Sequence, residues 1–326
     1  MAVYTHVDDR ELTRFVAEYD IGELVSYKGI AEGVENSNYL IRTVDGGVAT
    51  DYILTLYEAR VAEVDLPYFL RLVDHLSAKG ICPSAVHGRD GEALRRLAGR
   101  PAAVFTFLDG LSVHRIEASH CRDLGGGLAR LHLAGADFPL NRANDLSIAG
   151  WRRMAGETHE AADQVLPGLA QLIAEEVAAA ETAWPAGLPE GVIHADLFPD
   201  NVFFLDGRLS GFIDFYFACN DLLAYDLAVC LNAWCFDGGD QDGWRFDAVR
   251  ARALFEGYGA VRKLAPDEVA AMPTLARGAA LRFLLTRTYD LINHREEALV
   301  QPKDPKEYLA KLVFHRDVQD AGAYGI

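Results

Sequence analysis

The sequence predicts an α+β protein of two lobes. Residues 1–108 form a small antiparallel-sheet lobe with one helix, and residues 109–326 form a larger, mainly helical lobe. Three observations carry this. A chain of 326 residues is too long for one small core. Its first third holds short apolar runs separated by glycine-containing turns, the pattern of strands. From residue 111 onward the apolar residues recur at helical spacing.

In chain order, residues 24–30, 38–44 and 51–57 read as strands, with Asp45-Gly46-Gly47 as the turn between the last two. Residues 63–79 read as a helix, because Leu66, Phe69, Leu70, Val73 and Leu76 share a face and Gly80 stops it. Asp90-Gly91 predicts another hairpin, and residues 101–108 an apolar strand ending at Asp109-Gly110. Residues 118–134 read as a helix in which Gly125-Gly126-Gly127 permits close packing, since glycine otherwise weakens a helix. Residues 151–183 are helical with a break near Pro167-Gly168, and 184–191 form a loop. Further helices are expected over 221–236, 246–258, 266–300 and 305–320.

Half of the residues are apolar and the mean hydropathy is near zero, as in ordinary globular proteins. A net charge of −17 argues against nucleic-acid or anionic-membrane partners, which need a basic footprint. The first residues lack an apolar signal core, and no run reaches the ~20 apolar residues of a membrane span. Five scattered cysteines without a Cys-x-x-Cys predict a cytoplasmic, reduced protein with partly buried thiols and no zinc site.

The chemistry concentrates in 21 residues, 194–214. His194-Ala195-Asp196 is followed, after four residues, by Asn201, then by an Asp206-Gly207 hairpin, then by Ile213-Asp214. A carboxylate base followed by two oxygen donors at this spacing is the layout of a kinase catalytic loop and its metal aspartate. With the turn centred on Asp206-Gly207, Asn201 faces Phe212 across the hairpin. Asp214 then lies two residues further along that strand, on the same face as Asn201. Two such donors suit Mg²⁺, which takes few protein ligands beside water and substrate phosphate. Asp196 is therefore the expected catalytic base, and Asn201 and Asp214 the expected metal ligands. His194 is expected to fix the loop rather than to carry a proton. Asp226 opens an apolar helix, either as its cap or as a brace for the loop, and is structural in both cases.

Two other stretches fit a nucleotide. The loop from Gly29 through Gly33 to Asn36-Ser37-Asn38 is polar and glycine-containing, and offers backbone N–H groups to the phosphates of ATP. Phe105 and Phe107 lie where a kinase hinge would supply apolar walls for adenine.

These motifs resemble those of the aminoglycoside phosphotransferase and choline kinase superfamily, which shares the protein-kinase fold. Within it the chain looks most like the bacterial homoserine kinases. The likeness is carried by residues 28–39, 53–58, 131–138 and 192–236, spread over most of the chain. It implies MgATP-dependent phosphorylation of the side-chain hydroxyl of L-homoserine, on the route to threonine. The chain departs from the usual kinase pattern at Thr55, where a strand lysine normally contacts the phosphates; Lys28 and Arg60 are nearby in sequence. Phe215-Tyr216 follows Asp214 without the glycine of a switchable segment.

Homoserine carries a carboxylate and an ammonium, and both need partners if they leave water. Arg282 and Asp290 are eight residues apart, about 80° around a helix, so one face presents both. Arg282 is the candidate for the carboxylate, whose geometry its fork matches. Asp200 or Asp290 is the candidate for the ammonium. The expected partner is this small molecule, with neither nucleic acid nor membrane involved, and the chain is a monomer or a homodimer. Rival readings are a kinase for choline or an aminoglycoside, or a nucleotide-binding pseudokinase. An aromatic cage would mark the first, many acidic groups the second, and the missing lysine favours the third.

Overall fold

The computed structural model describes residues 5–30, 36–58, 62–239, 243–294 and 301–326. The chain divides into two compact units. Unit one is Met1–Asp109 together with Gly211–Tyr216; unit two is Gly110–Ser210 together with Phe217–Ile326. The expected division between 108 and 109 makes no provision for the return of residues 211–216 to unit one.

Unit one begins with a helix, α1 (Asp9–Val16). The Asp8 side chain caps it, accepting from the backbone N–H groups of Arg10 (2.9 Å) and Glu11 (3.3 Å). Strands β1 (Glu23–Gly29), β2 (Asn36–Asp45) and β3 (Val48–Tyr57) follow, then α2 (Leu66–Ser77), β4 (Ala85–Val86), β5 (Arg95–Leu97) and β6 (Arg100–Thr106). The sheet order is β1-β2-β3-β6-β4, with β5 also on β6, and every pairing is antiparallel. Among the described residues the unit thus carries two α-helices where one was expected. The signal for α1 was present: an Asp cap before Leu12, Phe15 and Val16, which are all buried. The turn at Gly91 exists, with a φ of +87°, but β4 and β5 on either side of it both pair with β6 rather than with each other.

Strand alternation decides what each face of this sheet does. Tyr39, Leu54 and Val104 lie in one cross-strand row and join the core against Leu12, Phe15 and Val16. The next row, Asn38, Thr55 and Ala103, points to the opposite face.

Unit two holds α3 (Ala118–Gly135), α4 (Ile148–Val165), α5 (Leu169–Ala183), β7 (Glu190–Ile193), β8 (Val202–Leu205) and β9 (Arg208–Phe212), whose last two residues belong to unit one. It continues with β10 (Cys219–Leu222), α6 (Leu223–Trp234), β11 (Phe236–Gly239), β12 (Gly243–Phe246), α7 (Ala248–Val261), α8 (Pro266–Ile292) and α9 (Lys306–Asp317). The glycine triplet does what its composition suggests. A Cβ at Gly125 would strike the backbone of α7 at Leu254, and one at Gly257 of α7 would strike the backbone of α3 at Arg122.

The helix expected over 221–236 starts only at Leu223. The residues before it are taken by β10, which pairs with β7 to flank the catalytic segment. Tertiary pairing overrides local helix preference here. Neither β7 nor the β11–β12 hairpin was expected from the sequence. All five cysteines are free, and four are buried. Among the described residues no helix is long and apolar enough to cross a membrane.

Candidate active site

The candidate catalytic segment of unit two starts where β7 ends. Ala195 adopts a left-handed conformation, φ +64°, which is costly for a residue with a Cβ. Asp226 and Trp234 both hold the backbone in place. The Asp226 carboxylate accepts from the N–H of His194 (Oδ2, 2.7 Å) and from that of Ala195 (Oδ1, 2.8 Å). Trp234 donates its indole N–H to the carbonyl of Leu197 at 2.7 Å. Of the two roles open to Asp226, the side chain therefore serves the loop, and its own helix has no side-chain cap.

Asp226 is fully buried and leans on His132, whose Nε2 lies 3.2 Å from Oδ2 while Nδ1 meets the Tyr258 hydroxyl at 2.8 Å. Burial pushes the Asp226 carboxyl up. The hydrogen bond and charge of His132, with the charge and backbone N–H of His194, outweigh it and hold the group below its ordinary range. His132 and Tyr258 were not expected at the site. The available signal was a lone histidine among Leu124, Leu128 and Leu131 on the buried face of α3, where a polar ring must find a partner.

His194 is fully buried, and its Nδ1 accepts the N–H of Asp196 at 3.3 Å. Asp196 itself is 19% exposed, so its carboxylate is reachable. Asn201 donates its amide N–H to the Asp196 carbonyl at 2.8 Å and lies 3.4 Å from Oδ2. That engagement leaves the Asn201 amide oxygen as the end able to meet a cation. Asn201 closes a short 3₁₀ turn, Pro199–Asn201, in which Asp200 is exposed.

The hairpin forms at Asp206-Gly207, with φ values of +50° and +75°, both positive as a type I′ turn requires. Its strands are shorter than expected. Asn201 precedes β8, and β9 ends at Phe212. Asp214 lies beyond it at φ +66°, so strand alternation does not govern where either side chain points. Left-handed non-glycine residues are uncommon and gather where a fold over-determines them; of the four among the described residues, Ala98, Ala195, Asp206 and Asp214, Ala195 precedes the expected base and Asp214 is an expected metal ligand.

In unit one, Asp214 sits among hydroxyls. The Tyr216 hydroxyl donates to that of Tyr57 at 3.2 Å. Burial, Tyr57 and the Asp214 charge push the Tyr216 phenol well above its ordinary value, so it stays protonated. Thr55 is 4% exposed in the central strand and donates to Asn38 Oδ1 at 2.8 Å. Lys28 lies on β1 and is exposed, whereas Arg60 and Gly33 lie outside the described residues.

Gly29 ends β1. Asn36, Ser37 and Asn38 begin β2 rather than lying in the loop before it. Two of their side chains tie to Glu58, just past the end of β3: Ser37 donates to its carboxylate at 2.8 Å, and Asn36 accepts from its N–H at 3.4 Å. Phe105 is half-buried in β6, and Phe107, just beyond it, is 44% exposed. Thr55→Val removes the hydroxyl's hydrogen bonds with Asn38 and Tyr216 and no charge. It should lower stability by about 1–3 kcal/mol and change turnover by less than an order of magnitude, measured by thermal melting and steady-state kinetics.

On α8 of unit two, Arg282 is 2% exposed and donates to the carbonyl of Ala195. Its Nη2 lies 4.0 Å from Asp196 Oδ1. Asp290 is half-buried near the end of the same helix. Arg287 is engaged elsewhere, with Glu307 (2.6 Å) and the Asp304 carbonyl (3.0 Å).

Solved structures of similar fold include a spectinomycin phosphotransferase in complex with ADP and spectinomycin. It has a TM-score of 0.70 and 13% identity, and the match covers 97% of this chain and 99% of that one. A choline kinase from Cryptosporidium parvum has a TM-score of 0.68 at 14% identity, covering 95% and 94%. These likenesses show a shared, kinase-like α+β fold. Curated relatives are far more similar in sequence. A homoserine kinase from Xanthobacter autotrophicus is 60% identical, and one from Parvibaculum lavamentivorans 58%; each match covers 100% of this chain and 99% of the relative. The model of the phosphotransferase enzyme family matches residues 26–271. With that match spanning both the sheet of unit one and the catalytic segment of unit two, the chain belongs to the phosphotransferase enzyme family.

Proposed function

We propose that this chain is a homoserine kinase, moving the γ-phosphoryl group of ATP to the side-chain hydroxyl of L-homoserine, a step toward threonine. The observation that carries the reading is 60% identity over the full length to a homoserine kinase, joined to a hydrogen-bonded loop that presents Asp196. In the mechanism, Asp196 accepts the hydroxyl proton as the phosphoryl group moves, and the remaining work is positioning. Asn201 orients Asp196 through its amide N–H. The nucleotide's adenine is assigned to the Phe105–Phe107 stretch and its phosphates to the stretch from Gly29 through Gly33 to Asn38.

Mg²⁺ is assigned to Asn201 and Asp214, each on its own chemistry. An amide oxygen and a carboxylate are hard donors that suit it. When bound, the ion neutralises charge between the phosphates. Asp214→Ala is expected to weaken Mg²⁺-dependent ATP binding by roughly 100-fold or more. Calorimetric titration of ATP with and without Mg²⁺ measures it, and an unchanged affinity would remove Asp214 from the role.

The acceptor's carboxylate is assigned to donors of Arg282, and its ammonium to Asp200 or Asp290. A choline acceptor has no carboxylate for Arg282 to meet. Four buried free thiols fit a reducing, cytoplasmic setting, with the chain a monomer or homodimer. The test is to incubate the purified protein with ATP, Mg²⁺ and L-homoserine and identify the product by phosphorus NMR. O-phospho-L-homoserine is expected, and ADP formation without it would refute the reading.

A further inference from the structure

Arg282 does more at the loop than an acceptor contact requires. Ala195, the residue before Asp196, is held left-handed at φ +64°. Its N–H side is clamped by Asp226. Its carbonyl side is met by Nη1 of Arg282. The same guanidinium brings Nη2 to 4.0 Å from Asp196 Oδ1. It lies against the rings of Phe283 (4.3 Å to the centroid) and Phe217 (5.5 Å), in a site where the side chain is 2% exposed. A buried cation is unfavourable by several kcal/mol unless a carboxylate and hydrogen bonds answer it. Here Asp196 is the carboxylate at ion-pair distance, and the charge of the half-buried Asp221 also acts on the guanidinium. Arg287, one and a half turns further along α8, shows the contrast: it is answered by Glu307 of α9.

We propose that Arg282 is a positioning residue for Asp196. It locks the carbonyl of the left-handed Ala195 and stands as counter-charge to the carboxylate, so the base is aimed before any acceptor arrives. The proposal rests on the reading of Asp196 as the base, and it goes beyond the acceptor-binding role because it acts with no acceptor present. Aiming errors of about 1 Å at a reacting group lower rates on the order of 100-fold.

The two roles separate in steady-state kinetics. Loss of an acceptor contact alone raises the KM for homoserine and leaves kcat at saturation unchanged. Loss of positioning lowers kcat even at saturation. Arg282→Gln and Arg282→Lys are compared with the native protein, with kcat expressed per nucleotide-binding site counted by ATP titration, so that misfolded protein is not scored. The expected result is a fall in kcat of about 10- to 100-fold in Arg282→Gln, partly restored in Arg282→Lys, which returns the charge without the planar fork. Native kcat in both variants, with any change confined to KM, overturns the proposal. If Arg282→Gln does not fold, Arg282→Lys decides by the same criterion. Native protein that fails to phosphorylate homoserine would instead refute the functional reading.

Discussion

Asp196→Asn should lower turnover by about two to four orders of magnitude, the usual contribution of a positioned base, while fold and nucleotide affinity persist. The substitution preserves shape. The backbone carbonyl that receives the Asn201 amide is untouched, as is the backbone N–H that meets His194. The side chain is 19% exposed, so the new amide reaches water, but the buried Arg282 loses its counter-charge, and stability should fall by up to about 3 kcal/mol without loss of the fold. What disappears is an oxygen able to take a proton at neutral pH. Steady-state kcat with saturating ATP and homoserine, together with a calorimetric ATP affinity, measures both halves. Near-native turnover would remove Asp196 from the role.

Asp226→Ala is the second large effect, and it falls on stability first. Two backbone N–H groups at the start of the catalytic loop and the His132 ring lose their acceptor inside a fully buried site. Removing one partner from such a buried charged cluster costs about 3–5 kcal/mol. Turnover should fall with it, because the left-handed turn at Ala195 loses its clamp. The pH dependence has a definite sign. The folded carboxyl is held below its ordinary value, so the native state binds fewer protons there than the unfolded chain. Its stabilisation is full above the unfolded carboxylate pKa of about 4. It is lost as the pH falls through that value toward the lower folded one. Melting curves of Asp226→Asn should therefore vary less steeply with acid pH than those of the native protein. Equal slopes would show that the carboxylate is not linked to folding.

The contrast between these residues explains what was legible beforehand. Asp196, Asn201 and Asp214 are set by local spacing, and Asp206-Gly207 is a turn that two positive φ values require. Close packing at Gly125 was legible for the same reason: three consecutive glycines in a helix need a purpose. The geometry between Asn201 and Asp214 was not legible. Period-two alternation holds only inside a strand, and here a 3₁₀ turn and a left-handed residue stand outside it. Nor were the partners of Arg282, Asp226 and His132, which lie 87, 32 and 94 residues away along the chain. The helix was expected from Asp221, but residues 219–222 form a strand, because β7 supplies the hydrogen bonds. Spacing within one loop thus points to the candidate chemical groups, whereas the residues packed around that loop come from helices distant in sequence.

The most direct measurement is the ratio of kcat/KM for L-homoserine to that for choline, ethanolamine and an aminoglycoside, determined with ATP and Mg²⁺ on the native protein. A carboxylate-bearing acceptor that meets Arg282 beside Asp196 should be preferred by about 100-fold or more, the discrimination that a buried polar contact supplies. Equal or greater kcat/KM for choline or an aminoglycoside, or no phosphoryl transfer to homoserine at all, would contradict the account.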